Sequence, residues 1–150
     1  MTKPIYVLNG PNLNLLGSRE PDVYGSETLE DVRGRCERKA AKFGFTVEFR
    51  QSNHEGELVA WIQEAKGKAA GVIVNAGAFT HSSIAMLDAL LATELPCVEV
   101  HLSNIFRRES FRHNSYISKG AKGVICGFGP LGYELAVEAL VASIEPKRKS

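Results

Sequence analysis

The stretch "GVIVNA", residues 71–76, decides the fold. Its apolar residues run on without alternating with polar ones, the signature of a strand covered on both faces. Upstream, "IYVLN" (5–9) reads as a second strand of this kind. Between them Leu29, Val32, Cys36, Ala40 and Phe43 recur at steps of three or four, the apolar face of a helix. Thr28 and Asp31 suit its first turn and Gly44 its end. "FTVEFRQ" (45–51) alternates as a strand, and Asn53 is read as the cap of a helix carrying Leu58, Ile62 and Ala65. Downstream, Ser82 or Ser83 starts a helix with Ile84, Leu87, Leu90 and Leu91 facing inward. "CVEVHLS" (97–103) and "KGVICG" (122–127) are a fourth and a fifth strand. Pro130 opens a last helix, striped by Tyr133, Val137, Leu140, Val141 and Ile144.

Strands alternating with helices imply an α/β fold, a doubly wound parallel sheet with helices on both faces. Right-handed crossovers favour the flavodoxin-like order 2-1-3-4-5. With 150 residues, 44% hydrophobic and 23% charged, the chain reads as one globular domain, 1–150, large enough to bury a core. A net charge of +1 gives no field for nucleic acid or an anionic membrane. The basic "PKRKS" end (146–150) reads as a solvated terminus. "MTKPIYV" has no signal-peptide pattern, and no apolar run approaches the ~18 residues of a membrane span. Cys36, Cys97 and Cys126 lack zinc-like spacing and are odd in number, which suits buried reduced thiols in a cytoplasmic protein.

In such a sheet, ligands bind beyond the carboxyl ends of the strands. Polar residues accumulate there. Strand one releases Asn9, Asn12, Asn14, Arg19 and Tyr24. Strand three ends at Asn75 and leads to His81. Strand four contains Glu99 and His101 and exits through Ser103, Asn104, Arg108 and Arg112. Glu99 and His101, two apart on a strand, share a face. A carboxylate beside an imidazole fixes its tautomer and favours its charged form, as a general acid requires; the same pair can also merely satisfy itself. A phenol such as Tyr24 needs roughly 4 kcal/mol of differential stabilisation to exist as phenolate near neutrality. Arg19, with Arg108 or Arg112, could supply it. "HSS" (81–83) is an anion site in principle or a plain cap. Asp88, alone, is an ordinary surface acid or one reaching a neighbouring subunit.

"GFGPLG" (127–132) matches the glycine string of a dinucleotide site. The strand that should follow, with its ribose-binding acid about 20 positions on, is missing before Ser150. Turn glycines and a helix-opening proline explain the string without NAD.

With these loops laid out, the chain closely resembles the type II 3-dehydroquinate dehydratases, the type II dehydroquinases. The matching blocks are "LNGPNLNLLGSREPDVYG" (8–25), "QSNHEGELVAWIQEA" (51–65), "IVNAGAFTHSSIAMLDAL" (73–90), "VEVHLSNIFRRESFRHNSYIS" (98–118) and "GVICGFGPLGYELA" (123–136). Within the fourth block Arg107, Ser110 and Asn114 depart from the commoner Ala, Glu and His, while Arg108, Phe111, Arg112 and His113 are retained. The resemblance implies anti elimination of water from 3-dehydroquinate to give 3-dehydroshikimate, without metal or organic cofactor. It implies a flavodoxin-like subunit, commonly in a dodecamer of four trimers. Carried over, Tyr24 is the base at C2, and Arg19 stabilises tyrosinate and transition-state charge. Asn12 holds the water that polarises the enolate; His101 is the acid and Glu99 orients its ring. Asn75, the backbone at Leu102, and Ser103 hold the substrate carboxylate and adjacent hydroxyl. His81 and Arg112 bind ring hydroxyls, and Asp88 reaches in from an adjacent subunit.

The chemistry agrees with the residue types. A ketone acidifies the neighbouring C–H only if its oxygen is stabilised as charge arrives, and the hydroxyl leaves as water only if an acid protonates it. Arg19 and Tyr24 lie between Gly17 and Gly25, a segment suited to closing over substrate. The other route to this reaction, a Schiff-base lysine in a barrel of about 250 residues, does not fit so short a chain. Two readings from other classes remain beside the lyase: a non-catalytic small-ligand binding module on the same fold, and the nucleotide site already weighed. Within the lyase reading, biosynthesis of aromatic amino acids (the shikimate pathway) and breakdown of quinate use the same reaction.

Overall fold

The computed structural model describes residues 2–17 and 26–144. Within them, β1 (Ile5–Asn9), β2 (Val47–Gln51), β3 (Gly71–Asn75), β4 (Cys97–His101) and β5 (Gly123–Cys126) form one sheet in the order β2-β1-β3-β4-β5. Every pairing is parallel. The helices are α1 (Leu29–Ala41), α2 (Glu55–Lys68), α3 (Ile84–Thr93) and α4 (Leu131–Ile144). The strand order, read from alternation and crossover handedness, is the one observed.

Strand side chains alternate, so each central strand feeds two cores. Ile5, Val7, Ile73, Val98 and Val100 pack with Val32, Cys36 and Ala40 of α1 and Val137 and Leu140 of α4. Tyr6, Leu8, Val72, Val74 and Cys97 pack on the other face with Leu58 and Ile62 of α2 and Met86 and Leu90 of α3. Both faces of β1, β3 and β4 are covered, which is why their sequences lack alternation. The thiols of Cys36 and Cys97 are buried, and burial pushes both up to about 12.

Helix starts follow local chemistry. Thr28 and Asp31 form a reciprocal capping box, with Thr28 Oγ1 accepting from the Asp31 N–H at 3.2 Å and Asp31 Oδ2 accepting from the Thr28 N–H at 2.9 Å. Ser83 caps α3 by accepting from the Met86 N–H. Two expectations need correction. Asn53 does not cap α2: the cap position is His54, and Ser52 Oγ accepts its N–H. Nor do Ile84 and Leu91 face inward; they are 54% and 55% exposed, because α3 turns Met86, Ala89, Leu90 and Thr93 to the sheet. Ile84, Asp88 and Leu91 thus share an outward face at i, i+4, i+7 spacing.

The exits of β1 and β3 lie against each other. The Gly10 N–H donates to the Asn75 carbonyl at 2.8 Å, and a Cβ on Gly10 would sit 2.2 Å from the Ala76 carbonyl oxygen. Only glycine allows that approach, and it is what draws the two loops to one rim.

Candidate active site

A cavity of about 200 Å³ opens at the carboxyl end of the sheet. Asn12 and Leu13 line it from the β1 exit, Asn75 and His81 from the β3 exit. His101, Leu102 and Ser103 come from the end of β4, and Arg108 and Arg112 from the segment after it. Residues far apart in sequence therefore meet where the strand pattern predicted. Glu99 stands behind His101, and Asp88 lies on the outer face of α3, outside this cavity. Tyr24 and Arg19, with the rest of the 18–25 segment, lie outside the described residues.

The β1 exit is braced at its backbone. Asn12 adopts φ 69°, ψ −6°, a left-handed conformation that asparagine tolerates better than most residues. Its N–H donates to Asn53 Oδ1 at 3.0 Å, and Gln51 Nε2 donates to that same oxygen and to the Gly10 carbonyl, both at 3.1 Å. Asn53, misread as a helix cap, instead anchors the loop of Asn12.

Glu99 is fully buried, and three donors surround its carboxylate. His101 Nε2 donates to Oε2, Ser115 Oγ donates to Oε2 at 2.9 Å, and Ser118 Oγ donates to Oε1 at 2.5 Å. Ser115 Oγ also accepts the Ser118 N–H at 3.0 Å, so its hydroxyl proton is directed at Glu99. Burial by itself would raise the Glu99 carboxyl. The hydrogen bond and charge of His101, followed by the two hydroxyls, outweigh it and hold the carboxyl below its usual range. An ionised carboxylate only accepts, so Nε2 of His101 carries a proton and Nδ1 is the nitrogen left for a ligand.

The remaining groups are also directed. The Asn114 carbonyl accepts from His81 Nδ1 at 2.9 Å, so in the neutral ring Nε2 of His81 is an acceptor. Arg112 Nε donates to Glu109 Oε1 at 2.8 Å while its guanidinium stacks 5.0 Å from the Phe111 ring centre. That fixes the angle of a cation at the cavity wall. Among the described residues no cluster of three or more His, Cys, Asp or Glu could hold a metal. No described helix is long and apolar enough to cross a membrane. Gly127 and Gly129, from the tempting glycine string, have φ of 98° and 60° and make the β5–α4 turn. Gly129 N–H donates to the Leu102 carbonyl at 2.9 Å, tying that turn to the cavity wall.

Sequence reading missed Ser115 and Ser118, which carry no motif of their own. It also took Tyr133 only as a core residue. Its hydroxyl donates to Asn9 Oδ1 at 2.7 Å and accepts from Asn75 Nδ2 at 2.8 Å.

Known proteins are similar to this chain in sequence and in fold. The family described as Dehydroquinase class II matches residues 3–141. A 3-dehydroquinate dehydratase of Azorhizobium caulinodans is 58% identical over 148 residues, covering 99% of each chain. A 3-dehydroquinate dehydratase 2 of Pseudomonas aeruginosa is 56% identical, covering 97% of this chain and 98% of its own. The crystal structure of the type II dehydroquinase from Propionibacterium acnes superposes with a TM-score of 0.89 at 44% identity, covering 95% of this chain and 98% of that one. With a match of this extent at both the sequence and the structural level, the chain belongs to the class II dehydroquinase family.

Proposed function

We propose that the cavity dehydrates 3-dehydroquinate to 3-dehydroshikimate by anti elimination through an enolate, making the protein a hydro-lyase. The observation that carries this reading is the buried Glu99–His101 pair, whose histidine lines a cavity that also bears two arginines. Tyr24, as phenolate, removes a proton from C2, and the electrons move onto the ketone oxygen. Asn12 holds the water that stabilises that oxygen. When the enolate collapses, the C1–C2 double bond forms and the C1–O bond breaks. His101 gives its proton to the departing hydroxyl, which leaves as water. The proton held by Tyr24 then passes to solvent, and His101 is reprotonated from solvent. Each proton-transfer group is worth about 10²–10⁴-fold.

Glu99 accepts the Nε2–H of His101, so the proton this step transfers is the one the doubly protonated ring carries on Nδ1. Asn75, Ser103 and the backbone at Leu102 hold the carboxylate and adjacent hydroxyl. His81, with Nε2 as acceptor, suits a ring hydroxyl, and Arg112 suits another. Arg19 supports the phenolate. No metal or organic cofactor enters these steps.

We also infer that the protein assembles from several copies, as trimers within a dodecamer, with Asp88 entering a neighbour's cavity. The outward face of Ile84, Asp88 and Leu91 supports this, because two large apolar side chains flank an acid that its own cavity does not use. Light scattering measures the assembly directly. The reading assigns the chain to one domain acting in the cytoplasm, in aromatic amino acid biosynthesis.

The test of the activity is a turnover assay on purified protein without additives, following the absorbance of the conjugated enone product. A rise with 3-dehydroquinate is expected. Binding without turnover would make the protein a small-ligand binding module instead.

A further inference from the structure

We propose that Tyr133 is a positioning residue that fixes Asn75 as a hydrogen-bond donor to the ligand. Asn75 and Asn9 point to the same face of the sheet as Ile5, Val7 and Ile73, the face that α4 covers. There the Tyr133 hydroxyl, completely buried, stands between their amides.

The hydrogen bonds have one consistent direction. The Arg50 carbonyl can only accept, and Asn9 Nδ2 donates to it at 3.0 Å. That orientation turns Asn9 Oδ1 to Tyr133, which spends its single hydroxyl proton on it. The phenol oxygen can then only accept from Asn75, so Nδ2 rather than Oδ1 of Asn75 must face it. Asn75 Oδ1 is turned the other way, where it accepts the Gly77 N–H at 3.2 Å. One hydrogen of Asn75 Nδ2 remains, on a residue that lines the cavity. The chain of bonds thus begins at an edge-strand carbonyl and ends by choosing which atom of Asn75 a ligand oxygen meets. Without the Tyr133 hydroxyl one of the two bonds that orient the amide is lost, and only the Gly77 N–H still holds Oδ1 away from the ligand. Burial raises the Tyr133 phenol, so it stays a neutral relay.

The inference rests on the dehydratase reading, and four measurements separate the two. If wild-type protein gives no turnover, the reading fails first. Given turnover, Tyr133→Phe keeps the ring and removes only the hydroxyl. KM is expected to rise about tenfold while kcat falls less than about threefold, because a ground-state contact is misdirected. In an Asn75→Ala background the same substitution should change KM by less than about twofold, since its target is gone. A general packing role would lower kcat and KM effects alike and act in both backgrounds, and that result overturns the proposal. Wild-type parameters in Tyr133→Phe overturn it as well. A nuclear magnetic resonance titration of the wild-type protein with 3-dehydroshikimate needs no variant to fold. One of the two Asn75 Nδ2 protons should shift and the other stay; movement of both or neither overturns the proposal.

Discussion

Two buried polar clusters lie on opposite faces of the same sheet, and they differ in kind. On the α4 face, Asn9, Tyr133 and Asn75 are all neutral, and the hydrogen bonds between them run in one direction. On the other face, Glu99 and His101 are ionisable, and Ser115 and Ser118 supply hydroxyls to the carboxylate. Both end at the cavity, through Asn75 and through His101. The neutral cluster can only orient, because none of its members changes charge near neutrality. The charged cluster holds the groups to which we assign proton transfer, a stabilised carboxylate and the imidazole bonded to it. A buried charge is tolerable here only because three donors surround it.

The largest expected difference between the faces is catalytic. His101→Ala should lower kcat per folded molecule by about 10²–10⁴-fold, and because it also takes a donor from the buried Glu99 carboxylate it should lower the thermal midpoint; Tyr24→Phe should lower kcat by a similar factor from the other side of the reaction. Asn75→Ala should act mainly on KM. Near-wild-type kcat in His101→Ala would remove the charged cluster from the acid role. Deep in the core on the α4 face, Ile73 is fully buried. Ile73→Ala should cost about 2–5 kcal/mol in denaturant unfolding while leaving kcat/KM per folded molecule unchanged. A loss of kcat/KM there would mean that core and site are not separable.

Ser118→Ala takes one donor from a buried carboxylate and should cost about 1–3 kcal/mol of stability. The pH dependence carries a sign. The folded-state carboxyl of Glu99 lies below the 4.5 of its unfolded counterpart, so the unfolded chain binds the proton more readily. Its contribution is complete above that pH and is lost as pH falls through the folded value. Glu99→Gln should therefore flatten the acid limb of stability below about pH 5, whereas Tyr133→Phe should leave that limb's slope alone. Equal slopes in wild type and Glu99→Gln would refute the assignment. The smallest effect concerns thiols. Cys36 and Cys97, both pushed up to about 12, should resist a disulfide reagent at pH 8 in the folded protein. The half-buried Cys126 should react first, and the other two only on unfolding.

Much of this was legible beforehand, for particular reasons. Continuous apolar runs at 5–8 and 71–74 marked central strands because a strand covered twice has no polar face to show. Glu99 and His101 were legible as partners because a period of two puts them side by side. Thr28 and Asp31 worked because capping is chemistry within one turn. Ile84 and Leu91 misled, since an outward apolar stripe has the same spacing as an inward one. Asn53 misled for a similar reason: a capping residue type in the right place was recruited by Asn12 and Gln51 instead.

The sequence by itself determined the strands, their order and the polar rim, because these follow from periodicity, crossover handedness and chain ends. Only the tertiary structure decided that Tyr133 lies between Asn9 and Asn75, and that two serines of a surface segment complete Glu99. Those bonds join residues 124, 58, 16 and 19 positions apart. Local pattern sets which way a side chain points, but how a helix or loop docks on the sheet sets what it meets.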